Sequence, residues 1–287
     1  MENNISTKKT IGGSLTAIII LVISQLLATL IASLLVLIKI PEGVCNIIAG
    51  VLYIIFAYVL LRLFIKKFIK FPVSDLGMPQ FNIKGKWILI AIVLPLAVKA
   101  TYLLFFNGKY VSSNMNADQI FSTLSAGIVF SGLAAGLVEE MVFRGVILNL
   151  LKNKWNTMVA VIIPSVLFGA VHIIGMSFSI GSSILVIIAG TMVGIMFSMI
   201  AIESGSVWNS AVVHAVWNIV IIGGGLFIGD KADEYSVMTY VLDSKSFQVT
   251  GGEFGIESSI ISLTGYIIVT IIAIVMMRRD RTQRENN

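Results

Sequence analysis

GGSLTAIIILVISQLLATLIASLLVLI, residues 12–38, runs without one charged side chain. About 20 apolar residues rising 1.5 Å each cross the roughly 30 Å of hydrocarbon in a bilayer, so this stretch is long enough to span it. It is too long for a removable signal peptide and lacks a small-residue cleavage site. Working outward, comparable runs recur at 46–65, 87–106, 123–149, 157–176, 181–202, 206–228 and 258–277. The composition agrees: 57% of residues are hydrophobic and 12% charged, against about 25% charged in an ordinary soluble chain. Mean hydropathy is +0.95. The expected fold is all-α, a polytopic membrane bundle of about eight transmembrane helices enclosing an intramembrane cavity. Three blocks follow: 1–122 with the first three helices, 123–228 with helices four to seven, and 229–287 with a polar loop, the last helix and a basic tail. The polar stretch 229–257 carries Asp230, Asp233, Glu234 and Asp243 and reads as an ordered loop or re-entrant piece.

The cations set an orientation. With the N-terminus in the cytoplasm, Lys8, Lys9, Arg62, Lys66, Lys67, Lys70, Lys84, Lys86, Lys152, Lys154, Arg278, Arg279, Arg281 and Arg284 fall inside, and only Lys39, Lys109, Lys231 and Lys245 outside. This positive-inside bias requires an even number of spans and places both termini of a multi-pass cell-membrane protein in the cytoplasm. Read this way, the net charge of +5 is a topology signal and not a nucleic-acid footprint. The lone Cys45 excludes an intramolecular disulfide and a cysteine zinc cluster.

Few ionisable groups lie within the apolar runs, and each costs about 2.5–3.5 kcal/mol to insert. Glu139, Glu140 and Arg144 lie in SGLAAGLVEEMVFRGVIL, His172 in PSVLFGAVHIIG, and His214 with Asn218 in VWNSAVVHAVWNIV. Glu140 and Arg144 are four apart with the acid first, the favourable order for an ion pair on one helical face. Glu139 is turned about 100° from Glu140 and so points elsewhere, toward the bundle interior. His214 and Asn218, like Phe168 and His172, share a face at the same spacing. Burying these short polar faces against one another is the cheapest arrangement in lipid. A carboxylate and an imidazole meeting in a wet cavity can activate water. A second imidazole and an amide can stabilise the oxyanion that follows. Those parts describe peptide hydrolysis without a Ser or Cys nucleophile.

The three segments resemble the CPBP family of intramembrane proteases, the CAAX prenyl endopeptidases and bacteriocin-processing enzymes also called the Abi family. Its marks are E-E-x-x-x-R, F-x-x-x-H and H-x-x-x-N or H-x-x-x-D. Here they stand as Glu139-Glu140-x-x-x-Arg144, Phe168-x-x-x-His172 and His214-x-x-x-Asn218, in order and on separate runs. The resemblance covers about 125–228. It implies that Glu139 and His172 activate water, that His214 and Asn218 form the oxyanion site, and that Glu140 and Arg144 support them. The partners it implies are the lipid bilayer and a peptide or membrane-protein substrate.

Plainer readings stand beside these. The Glu140–Arg144 pair could be purely structural, and either histidine an interhelical hydrogen bond. Phe168 reads as packing, Lys99 as a snorkelling or locally paired cation, and Met192, Met196 and Met199 as apolar filler. Glu139, His172 and His214 also form a conceivable zinc ligand set, although no H-E-x-x-H is present and cofactor-free catalysis is the favoured reading. The alternatives to an endopeptidase are a non-catalytic scaffold or bacteriocin-immunity protein of the same fold, and a proton-coupled transporter. The last ranks lowest, because the two halves of the chain show no symmetry. Arg144 at the cytoplasmic end of its span would place the Glu pair in the cytoplasmic half, with substrate arriving from that side.

Overall fold

A computed structural model describes residues 5–285. Met1–Asn4 of the first expected block, and Asn286 and Asn287 of the last, lie outside the described residues. The fold is the expected all-α membrane bundle, 75% helical. In chain order the main helices are α1 Thr7–Leu37, α2 Glu42–Phe64, α3 Gly85–Phe105, α4 Ala117–Lys154, α5 Thr157–Val171, α6 Ile180–Ser204, α7 Val207–Ile221 and α8 Ile260–Glu285.

Six of these are long and apolar enough to cross a bilayer, and α5 and α7 are shorter. At 15 residues each, α5 and α7 reach only about 22 Å. The expected spans 157–176 and 206–228 are therefore too long. In both cases the apolar run continues past the helix into a connecting segment: 172–179 after α5, and the glycine turn Gly223–Gly225 after α7.

Short connections make successive helices alternate in direction. The loops 65–84 and 155–156, the start of α1 and the end of α8 lie at one end of the bundle, the basic end. The segments 106–116, 172–179 and 222–259 gather at the other. There the polar stretch expected as a loop contributes to a three-stranded sheet: β1 Gly108–Ser112, β2 Leu226–Gly229 and β3 Met238–Leu242, in the order β1-β3-β2. β1 pairs with β3 antiparallel, Tyr110 opposite Tyr240, and β2 pairs with β3 in parallel. Lys99 is locally paired, donating to the Leu226 carbonyl at 2.6 Å, and so ties α3 to this sheet end. At the basic end Glu203 accepts from Lys86 and from Trp87 Nε1, joining α6 to α3.

Packing follows the logic of lipid, where small residues turn inward and large aliphatic ones outward. α1 buries Gly13, Ala17, Ser24, Ala28 and Ala32, while Leu15, Ile19, Leu26, Leu30 and Leu34 stay exposed. Two close approaches fix the helices that carry the polar residues. A Cβ at Gly136 would lie 2.8 Å from the Ala215 backbone, and one at Gly190 would lie 2.5 Å from the Gly169 Cα. Glycine thus lets α4 touch α7 beside the Glu pair and His214, and lets α6 touch α5 one turn before His172.

Candidate active site

Within α4 the backbone widens to π-helical turns at Ala126–Ala134 and Met141–Ile147, on either side of Ala135–Glu140. Such widened turns re-aim side chains and recur at functional sites. The four-residue spacing still holds: Arg144 Nη1 donates to Glu140 Oε1 at 2.8 Å. Its Nη2 donates to the Gly194 carbonyl at 3.0 Å. The guanidinium lies 4.6 Å from the Phe168 ring centre and 5.2 Å from that of Phe197. Both members of the ion pair are fully buried. Arg144 is thus a plug on the basic side of the site, clasped between α4, α5 and α6.

Glu139 points away from this pair, as the helical geometry requires, and its side chain is 22% exposed. It lines a cavity of about 430 Å³ that His172, His214 and Asn218 also line. All four expected catalytic residues therefore share one chamber, and Glu140 and Arg144 stand behind it. A second hollow of about 440 Å³ lies between α1 and α5, and Gln25, Glu139 and His172 border both spaces. Ile18, Leu21, Val22, Val171 and Ile174 give it apolar walls.

Each imidazole is oriented by a hydrogen bond at Nδ1. His172 caps the C-terminus of α5, and its Nδ1 lies 2.6 Å from the Phe168 carbonyl. A carbonyl can only accept, so Nδ1 carries the proton and Nε2 is left as the basic nitrogen. His214 Nδ1 lies 3.1 Å from Glu140 Oε1, and its Nε2 is 3.9 Å from Glu139 Oε2. The His214 ring stacks on Phe197 at 4.5 Å and 18°. Asn218 donates one N–H to the Ser131 carbonyl at 2.9 Å, which leaves its second N–H and its Oδ1. Phe168 serves as packing, edge-on to Phe143 at 5.2 Å and 4.8 Å from the His172 ring.

Two features go beyond the expected site. Counted along their own helices from the basic end, Glu139 and His172 lie about 22 Å in and His214 about 10 Å in. Met176, Phe254 and Glu257 line it from the sheet end, and Ala135, Val193 and Phe197 line it from within the helices. The chamber thus extends from the buried Glu140–Arg144 pair toward the sheet end. Phe197 and Glu257 were also not singled out from the sequence. Phe197 looks like any apolar residue of α6, and Glu257 lies outside every apolar run. The signal available for Glu257 was an acid trapped between a glycine-rich turn and the last span.

Among the described residues no three His, Cys, Asp or Glu side chains gather closely enough to hold a metal ion.

Residues 121–220 match the family model described as type II CAAX prenyl endopeptidase Rce1-like. All seven motif residues fall within that segment. The match covers about a third of the chain and is consistent with a CPBP family protease, the resemblance that the motifs carry, and the apolar helices fit a multi-pass membrane protein. No curated protein and no solved structure matches the chain.

Proposed function

We propose that this protein is an intramembrane endopeptidase that hydrolyses a peptide bond in a membrane-associated protein or peptide. The observation that supports it most is the shared chamber: Glu139, His172, His214 and Asn218 all face it, and both imidazoles are oriented by their Nδ1 partners. Water between the Glu139 carboxylate and His172 Nε2 gives up a proton to them and adds to the scissile carbonyl carbon. The free N–H of Asn218 donates to the resulting oxyanion. His214 can join it from Nε2 in the imidazolium form, its Nδ1–H held by Glu140. Cleavage of purified protein's fluorogenic peptide library, with and without chelator, tests the reading. The expected result is cleavage that survives chelation. Loss on chelation with recovery on adding zinc would instead make Glu139, His172 and His214 ligands.

The protein resides in the cell membrane with both termini in the cytoplasm, as the cation distribution indicates. The single native cysteine, Cys45, is 1% exposed and leaves a low labelling background. Cysteines introduced at 152–154 are expected to react with membrane-impermeant maleimide only after the membrane is opened. Labelling of intact cells would reverse the orientation. With both termini inside, the sheet and the mouth of the chamber face outward, and the substrate arrives from that side or from within the bilayer.

A further inference from the structure

Glu257 lines the same chamber as Glu139, His172, His214 and Asn218, yet it lies outside the matched segment 121–220 and takes no part in activating water. Its position is built with care. It stands in the turn Ile256–Ser258 immediately before α8, and side chains on both flanks bond this turn to itself. Ser258 Oγ donates to the Gly251 carbonyl at 2.6 Å, and Ser259 Oγ to that of Ile256 at 2.7 Å. Tyr266 Oη donates to the carbonyl of Glu257 itself at 3.0 Å. On the same loop the Ser179 amide donates to the Glu253 carboxylate at 2.7 Å, and Phe254 lies edge-on to His172 at 6.1 Å. The Glu257 side chain then receives one contact: Trp217 Nε1 donates to its Oε1 at 3.2 Å. Among the described residues no protein group bonds its Oε2. One carboxyl oxygen is anchored, and the other remains for whatever occupies the chamber.

The hydrolysis proposed above leaves one chemical need unmet. An amide does not break by expelling an amine anion; the nitrogen must gain a proton as the C–N bond opens. Glu139 and His172 are occupied with the proton of the attacking water. A second carboxyl group in the same chamber that enters the step protonated would divide the work between base and acid. We propose that Glu257 is a further catalytic residue, the general acid that protonates the leaving amine; the assignment rests on the endopeptidase reading. Water loses a proton to Glu139 and His172, and its oxygen bonds to the carbonyl carbon. The C–N bond then breaks, its electron pair remains on nitrogen, and that nitrogen takes the proton from Glu257 Oε2. The proton held by Glu139 and His172 passes through water to Glu257 and restores the starting state.

The surroundings favour this role. Burial raises the Glu257 carboxyl above the usual carboxylate range, and Glu139 on α4 acts in the same direction. Trp217, His172 and His214 oppose these effects without cancelling them. Those groups, with Tyr266 on α8, are the titratable and donor groups that face it.

The test compares a peptide amide selected from a fluorogenic library with an ester of the same acyl part carrying a p-nitrophenolate leaving group, which departs without a proton. Glu257→Gln keeps the size of the side chain and its Trp217 bond. It is expected to lower kcat on the amide about 10²-fold or more and to leave the ester within about threefold. The alkaline limb of the amide kcat profile, set by loss of the Glu257 proton, is expected to vanish with it. Equal losses on amide and ester, or no loss on either, would overturn the assignment. An infrared spectrum reads the proton without any substrate. At neutral pH a protonated carboxyl C=O band is expected in wild type and in Glu139→Gln, and is expected to be missing in Glu257→Gln. If Glu257→Gln removes no such band, the residue is ionised and cannot be the acid. Failure of the parent reading looks different: Glu139→Gln would then cleave as well as wild type.

Discussion

Glu139→Gln is expected to yield a folded protein whose kcat on a cleavable peptide falls about 10²–10⁴-fold, the range contributed by a general base. Glutamine keeps the shape of the side chain and its place on the chamber wall but removes the basic oxygen. The structural cost is small, because Glu139 is 22% exposed and its only ion-pair partner among the described residues, His214 Nε2, is 3.9 Å away. Substitutions at partly exposed positions without strong bonds usually change stability by no more than about 0.5 kcal/mol. KM should change little, since the charge acts on water and not on the peptide. Steady-state kinetics and a thermal melt of the same detergent preparation check both halves. A melt that falls together with activity would make Glu139 a structural residue.

The reverse pattern is expected at Arg144. Arg144→Ala removes the partner of Glu140 at a site where both side chains are fully buried, so solvent screening does not soften the loss. An uncompensated buried charge costs about 3–5 kcal/mol. The substitution also frees the Gly194 carbonyl on α6 and empties the space against Phe168 and Phe197. Lysine is a poor replacement, because one ammonium cannot reproduce a planar fork that reaches Glu140 and Gly194 together. Pairing Arg144→Met with Glu140→Gln is expected to restore most of the stability, since neutral side chains avoid the larger penalty of desolvating a charge. It is not expected to restore activity, because His214 Nδ1 then faces an amide in place of a carboxylate. Denaturation of the single and double variants in detergent measures both effects. A double variant as unstable as Arg144→Ala alone would show that packing, and not charge, makes the site fragile.

Much of this was legible in the chain because lipid simplifies the problem. Long apolar runs have few alternatives to helices when no water is present to satisfy the backbone, so the eight helices and their order follow from hydropathy. The ion pair was legible because residues four apart share a face whether or not neighbouring turns widen. Helix ends were harder to read. The apolar run through His172 continues beyond α5, so the sequence places that histidine within a span while the structure makes it the C-terminal cap. The strands GKYVS and MTYVL are five residues each, too short to stand out from a polar loop. Their pairing joins segments more than a hundred residues apart. Glu257 was missed because an acid in a polar stretch costs nothing until the fold brings it into the chamber.

The central claim is that Glu139 and His172 act on one water molecule. A double-mutant cycle on kcat/KM, with Glu139→Ala, His172→Ala and the combined variant, tests it most directly. Groups that work as a unit are strongly non-additive, so each single substitution is expected to lose nearly all of the activity and the double to lose little more. Full activity in either single variant would contradict the claim and favour a scaffold or immunity role that needs no hydrolysis. Losses that simply add would contradict it in another way, by giving the two residues separate tasks.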